Sequence, residues 1–201
     1  MEGNQKSYLY HMVPENIKTS KDGQEILYPL NMLKEKFPEL YELKAEKYNN
    51  HQTGDFNNER KSLIEKIIPT LENAAWGDVL QLTAIHPNDL KKALVDAGFS
   101  PREMKFYQID PELLDPEKTT IYLYREDLDD TSTENFTKYD PSKLIDHSVV
   151  PNKTKNYYKE KFKKKEAPLL FVGVPHIFHN GPIDVSNFPV ITTENESQLN
   201  N

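Results

Sequence analysis

The chain has 201 residues, a formal net charge of −7 and no cysteine. Its length fits one domain with a buried core, and the missing thiols exclude disulfides, thiolate metal sites, iron–sulfur clusters and cysteine nucleophiles. The negative charge argues against bulk binding of nucleic acid; no run of 18 apolar residues offers a membrane span, and the polar start carries no export signal, so the expected setting is the cytoplasm.

Residues 1–6 and 193–201 are polar and weakly patterned, and are expected to be flexible tails around a single domain spanning 7–192. Tyr8-Leu9-Tyr10-His11-Met12-Val13-Pro14 is an aromatic and aliphatic run that reads as a buried strand with a histidine inside it. An imidazole there must find a hydrogen-bond partner or forfeit about 1–3 kcal/mol. Lys21-Asp22-Gly23 is a turn, and an apolar stretch follows at 26–30. Leu30, Leu33, Phe37, Leu40, Tyr41 and Tyr48 then recur at helical spacing, with Pro38 forcing a kink or restart. Leu63, Ile64, Ile67, Ile68 and Leu71 form a second stripe, so 30–72 reads as a helical insert after the first strand.

The next strand is expected over 78–85. Asn88 suits the N-cap of a helix running through Ala97 to a stop at Gly98. Further strands are expected at Lys105–Ile109 and at 120–124. An acidic loop at 126–139 and a lysine-bearing helix at 152–165 come next, then the most buried-looking strand at 169–172. Asn180-Gly181 between apolar runs signals a hairpin with a type I′ turn, and 188–192 supplies a closing strand. The order predicts an α+β fold: a mixed or mostly antiparallel sheet, the helical insert, and a C-terminal β-hairpin.

Histidine is the leading chemical signal. His11, His86, His147, His176 and His179 adjoin apolar, aromatic or capping positions, whereas His51 lies in a polar stretch. A metal site would recruit His11, His86, His176 or His179 with Asp184. However, His176 and His179 are three apart, so on one strand they face opposite ways, and no H-E-x-x-H motif is present; no metal is expected. The chain also lacks a G-x-S-x-G elbow, a Walker A loop and a G-x-G-x-x-G loop. Two readings of His11 remain. It is a hydrogen-bonding or acid–base group in a cleft lined by Tyr10, Tyr28, His86 and His176, or it is a satisfied core histidine.

Leu9-Tyr10-His11 in a first strand, the turn from Gly23 to Leu27 and the late strands together resemble the ADP-ribosyltransferase-like superfamily. That resemblance implies NAD as cofactor, His11 as the contact to the nicotinamide-side ribose, and Tyr28 as a residue stacking on nicotinamide. The superfamily's Ser-Thr-Ser and Glu-x-Glu segments have no counterpart, and Asp184 stands for the catalytic carboxylate by position alone. The opening heptapeptide, with Val-Pro-His-Ile and Gly-Pro-Ile-Asp-Val-Ser, also resembles an uncharacterised bacterial protein family, which implies no function. The leading expectation is an ADP-ribosyl-transfer-like domain acting on a small nucleotide or a protein substrate. Two alternatives stand beside it: a non-catalytic protein-interaction domain using the lysine helix and the acidic stretch, and a His/Asp metal-dependent enzyme.

Overall fold

Short apolar runs separated by proline and glycine turns favour antiparallel pairing, because parallel strands need long crossover connections. The computed structural model describes residues 7–15, 18–19, 23–50, 64–125 and 131–194, with the backbone alone at 18–19 and 46–50. In chain order these form β1 (Leu9–Met12), β2 (Lys18–Thr19), β3 (Glu25–Leu27), α1 (Leu30–Lys36), α2 (Pro38–Asn50) and β4 (Val79–Leu82). There follow α3 (Pro87–Asp96), β5 (Lys105–Ile109), β6 (Thr119–Tyr122), β7 (Phe136–Lys138), α4 (Asn152–Lys163), β8 (His176–Asn180), β9 (Ile183–Asp184) and β10 (Val190–Thr192). Every pairing among these strands is antiparallel, so the fold is α+β, as expected.

Three sheets result, with strand orders β1-β5-β10, β2-β3-β9 and β4-β8-β6-β7. The first and third are stitched together at one point. Tyr10 N–H donates to Thr83 C=O (2.8 Å) and Thr83 N–H donates back to Tyr10 C=O (3.1 Å), which joins β1 to the end of β4. The strand carrying His11 is therefore interior to the combined order rather than at an edge.

Period-2 alternation divides the side chains of the β4-β8-β6-β7 sheet between two cores. On one face Leu80, Leu82, Ile121 and Ile177 pack with Leu9, Tyr107 and Ile109, and Leu27, Ile183 and Val185 of the small sheet's region cover them. On the other face Val79, Tyr122, Phe136 and Phe178 pack against Ile68, Leu71, Ala74 and Trp76. A third cluster lies between α3 and α4, around Leu90, Leu94 and Tyr158. No helix among the described residues is long and apolar enough to cross a membrane.

Several expectations are corrected. Pro38 does restart the helix, opening α2 directly after Phe37. The stripe at 64–72, however, forms turns with an Ile67–Ala75 bridge, so Ile68 and Leu71 reach the core from turns rather than one helix face; Leu63 lies outside the described residues. Within the expected loop at 126–139, Phe136–Lys138 pairs with β6 as a strand, while 126–130 lies outside the described residues. The expected strand at 169–172 is absent because its backbone is engaged sideways: Tyr157 Oη accepts from Leu169 N–H (3.1 Å) and Tyr158 Oη donates to Leu170 C=O.

The C-terminal hairpin is also overturned. β8 pairs with β4 and β6, whereas β9 pairs with β3 in a different sheet. A type I′ turn needs positive φ at both central residues, but here only Gly181 has one, at 142°, and Asn180 stays in β8. Gly181 thus hands the chain from one sheet to the next. Beyond β10, Thr193 is buried and exchanges hydrogen bonds with Met104, so sheet contacts pass the expected boundary at 192.

Candidate functional site

His11 sits where two strands part. Carried on from Tyr10–Thr83, the register would set Met12 opposite Gln81, yet the ladder stops and the imidazole takes its place: His11 Nδ1 lies 3.0 Å from Gln81 C=O. A carbonyl only accepts, so Nδ1 carries the proton and the neutral ring presents the Nε2 lone pair. Burial pushes the His11 pKa below its ordinary value, the carbonyl bond opposes that, and the charge of Lys44 adds to it. The ring is only partly buried.

The residue opposite His11 on β5 is Tyr107, which places the two side chains on one face with Cβ atoms about 4.5–5.5 Å apart. Tyr107 Oη donates to Glu25 Oε2 (3.1 Å). Burial, then that bond and the carboxylate charge, push the phenol up to about 12. Glu25 is itself anchored. Its N–H donates to Ser186 Oγ (2.8 Å), and Ser186 Oγ donates to Asp184 Oδ1 (2.5 Å). Asp184, expected as a catalytic carboxylate, is exposed and accepts from the hydroxyl and N–H of Ser186, which hold it below the usual carboxylate range. It sits at the far end of a hydrogen-bonded chain that reaches the His11 face through Ser186, Glu25 and Tyr107.

The other expected site residues scatter. Tyr10 meets His86 edge-on at 5.2 Å, and burial raises its phenol pKa against an opposing bond with Gln108. His86, rather than Asn88, is the N-cap of α3: its Nδ1 accepts from Asn88 N–H (3.2 Å), with Pro87 at the first helical position. Asn88 Oδ1 accepts from Glu194 N–H instead (3.0 Å). Tyr28 packs on Phe37 at 5.5 Å and under Lys36 Nζ at 6.0 Å. His176 belongs to the opposite face of its sheet, 6.0 Å from Phe178 and 6.4 Å from Tyr122, with its pKa pressed down to about 4 by burial. His179 Nδ1 donates to Thr119 Oγ1 (2.9 Å), whose own proton goes to Asp115 C=O (2.7 Å).

A cleft of about 560 Å³ opens elsewhere, between β6, β7 and the 3₁₀ segment Pro141–His147. It is lined by none of His11, Tyr10, Tyr28, His86, His176 or Asp184. Among the described residues no group of three His, Asp or Glu side chains could hold a metal ion. Sequence reasoning missed Glu25 and Tyr107. Nothing local distinguishes either one, because they meet only where the β2-β3-β9 sheet packs against the β1-β5-β10 sheet, 82 positions apart in the chain.

No protein-family model, curated protein or solved structure matches the chain. Neither the ADP-ribosyltransferase-like resemblance nor that to an uncharacterised bacterial family gains support from these comparisons.

Proposed function

We propose that the chain binds a ribose-bearing nucleotide, with NAD as the test case, at the partly exposed His11, where β1 and β4 part. The observation that carries this reading is the bond from His11 Nδ1 to Gln81 C=O. It fixes the tautomer and leaves Nε2 as an acceptor suited to a ribose hydroxyl. The lowered His11 pKa keeps that lone pair available at neutral pH. In ADP-ribosyl transfer the glycosidic bond to nicotinamide breaks and positive charge builds on the ribosyl carbon; a fixed carboxylate against it lowers the barrier. On this reading Glu25 is that carboxylate and Asp184 a positioning residue, acting through Ser186.

Calorimetric titration with NAD tests it. Wild type should bind, and a folded His11→Ala variant should lose about tenfold or more in affinity, the worth of one buried hydrogen bond. No binding by wild type, or equal binding by the variant, refutes the reading. A non-catalytic interaction domain is the second reading, favoured by one observation. Lys155, Lys159 and Lys163 stand exposed at four-residue spacing on α4 without an ion-pair partner among the described residues.

A further inference from the structure

Among the described residues β7 is the outer strand of its sheet. Leu123 N–H donates to Asn135 C=O (2.8 Å), and antiparallel alternation makes Ile121–Thr137 the next doubly bonded pair. The backbone groups of Phe136 and Lys138 therefore point away from β6. Phe136 N–H turns back to Thr133 C=O, but Lys138 N–H and C=O make no hydrogen bond among the described residues. An open edge of this kind is a template for another strand.

The 560 Å³ cleft adjoins that edge. Leu123 and Thr137, both half-buried, line it over the buried Ile121 and Tyr139, and the 3₁₀ segment, capped by Asp140 Oδ1 on Ser142 N–H (3.0 Å), borders it. Its size is in the range that accepts a small ligand or large side chains. Charge at the mouth is balanced: Asp140 is paired with Lys143 at 3.3 Å, leaving Asp146 against Lys138, with His147, whose pKa burial lowers against the pull of Asp146, beside them. Ile145, within the 3₁₀ segment, and Val149, two residues beyond it, are 58% and 71% exposed, apolar surface close in sequence to the cleft's lining residues.

We infer that this edge and cleft form a peptide-docking site. An extended, weakly charged segment of a partner protein adds as a strand to β7, exchanging main-chain bonds with Lys138 and placing an aliphatic or aromatic side chain in the cleft. Main-chain pairing supplies affinity in such modes, and the pocket supplies selectivity. The balanced mouth matches an uncharged backbone better than an anionic or cationic ligand. The site is separate from the His11 face and does not rest on nucleotide binding there.

The test is a random-peptide display selection against the full chain, followed by calorimetry of the recovered peptide. Lys138→Pro removes the edge donor without touching the ladder, a position where proline is tolerated. Thr137→Phe fills the cleft with a residue that strands favour. Recovered peptides should carry an apolar residue flanked by an extended pattern and bind each variant at least about tenfold more weakly, with Tm nearly unchanged. Should Lys138→Pro unfold, slowed amide exchange at Lys138 on peptide binding to wild type provides the same reading. A selection without enriched sequences, equal binding to Thr137→Phe, or unaltered Lys138 exchange overturns the inference. So does a wild-type dimer that Thr137→Phe or Lys138→Pro dissociates, since a second copy would then be the occupant.

Discussion

Acidification should destabilise this protein through His176. The imidazole begins β8 among the rings of Tyr122 (6.4 Å between centroids), Tyr124 (6.5 Å), Phe171 (6.4 Å) and Phe178 (6.0 Å). These rings cannot hydrate an imidazolium, so burial holds the folded pKa at about 4 against 6.5 for a free histidine, and a backbone bond at Pro175 offsets only part of this. Because the folded value is the lower one, the unfolded chain takes up the proton first. The stabilisation is complete above pH 6.5 and is lost as the pH falls through 4. At about 1.4 kcal/mol per pH unit the full loss approaches about 3 kcal/mol. Attraction of the cation to the surrounding ring faces returns about 0.5–1 kcal/mol, leaving about 2 kcal/mol. Urea unfolding of wild type and His176→Phe, which keeps a ring but removes the titration, should be compared at pH 7.5 and pH 4.5. The difference in unfolding free energy between the two proteins should shift by about 2 kcal/mol in favour of the variant at the lower pH. His11, His147 and His179 are also held low by burial and act in the same direction in both proteins. An unchanged difference would refute the argument that the aromatic surroundings exclude the charge.

Two further outcomes follow from packing. Trp76 lies edge-on to Tyr122 (5.1 Å), Phe136 (6.4 Å) and Phe178 (4.9 Å); Trp76→Ala should cost about 3–5 kcal/mol in urea unfolding followed by circular dichroism, and a loss below about 1 kcal/mol would mean that the cluster is not cohesive. Gly98 ends α3 with φ 105°, and a Cβ there would stand 2.7 Å from the Phe162 ring, whereas Gly23, with φ 82°, has nothing within 4 Å of that position. Both alanine variants carry the left-handed backbone penalty of about 1–2 kcal/mol, but Gly98→Ala adds overpacking of about 1–3 kcal/mol, so equal falls in Tm would contradict the crowding at Phe162.

Much of the element inventory was legible where the signal is local. Lys105–Ile109 is a strand at the expected bounds, and Gly98 stops α3 because the chain there needs positive φ. The lysine helix also forms, because Tyr158 and Thr154 bury one side while the lysines stay solvated. The cap of α3 also has a local signal, competing with Asn88: Pro87 favours the first helical position, which makes His86 the cap. The run at 169–172 misled for another reason. Apolar content reports burial, but strand formation also needs a ladder partner, and α4's tyrosine hydroxyls engage Leu169 and Leu170 instead.

The candidate site shows the same division. Sequence alone singled out His11 as a polar group in an apolar strand that had to find a partner, because the energetic demand of a buried imidazole is a property of the residue and its neighbours. Which partner answered that demand, Gln81 C=O, depended on β1 and β4 parting just beyond Tyr10 and Thr83. Likewise, Tyr107 came to lie opposite His11 and Glu25 to accept from its hydroxyl, while Asp184 was left at the end of that hydrogen-bonded chain. Periodicity and turn chemistry act over a few residues, so they determine which segments extend and which coil. Pairing is chosen among strands as far apart as Ile26 and Asp184, by whichever register buries both faces together, and only the folded chain makes that choice.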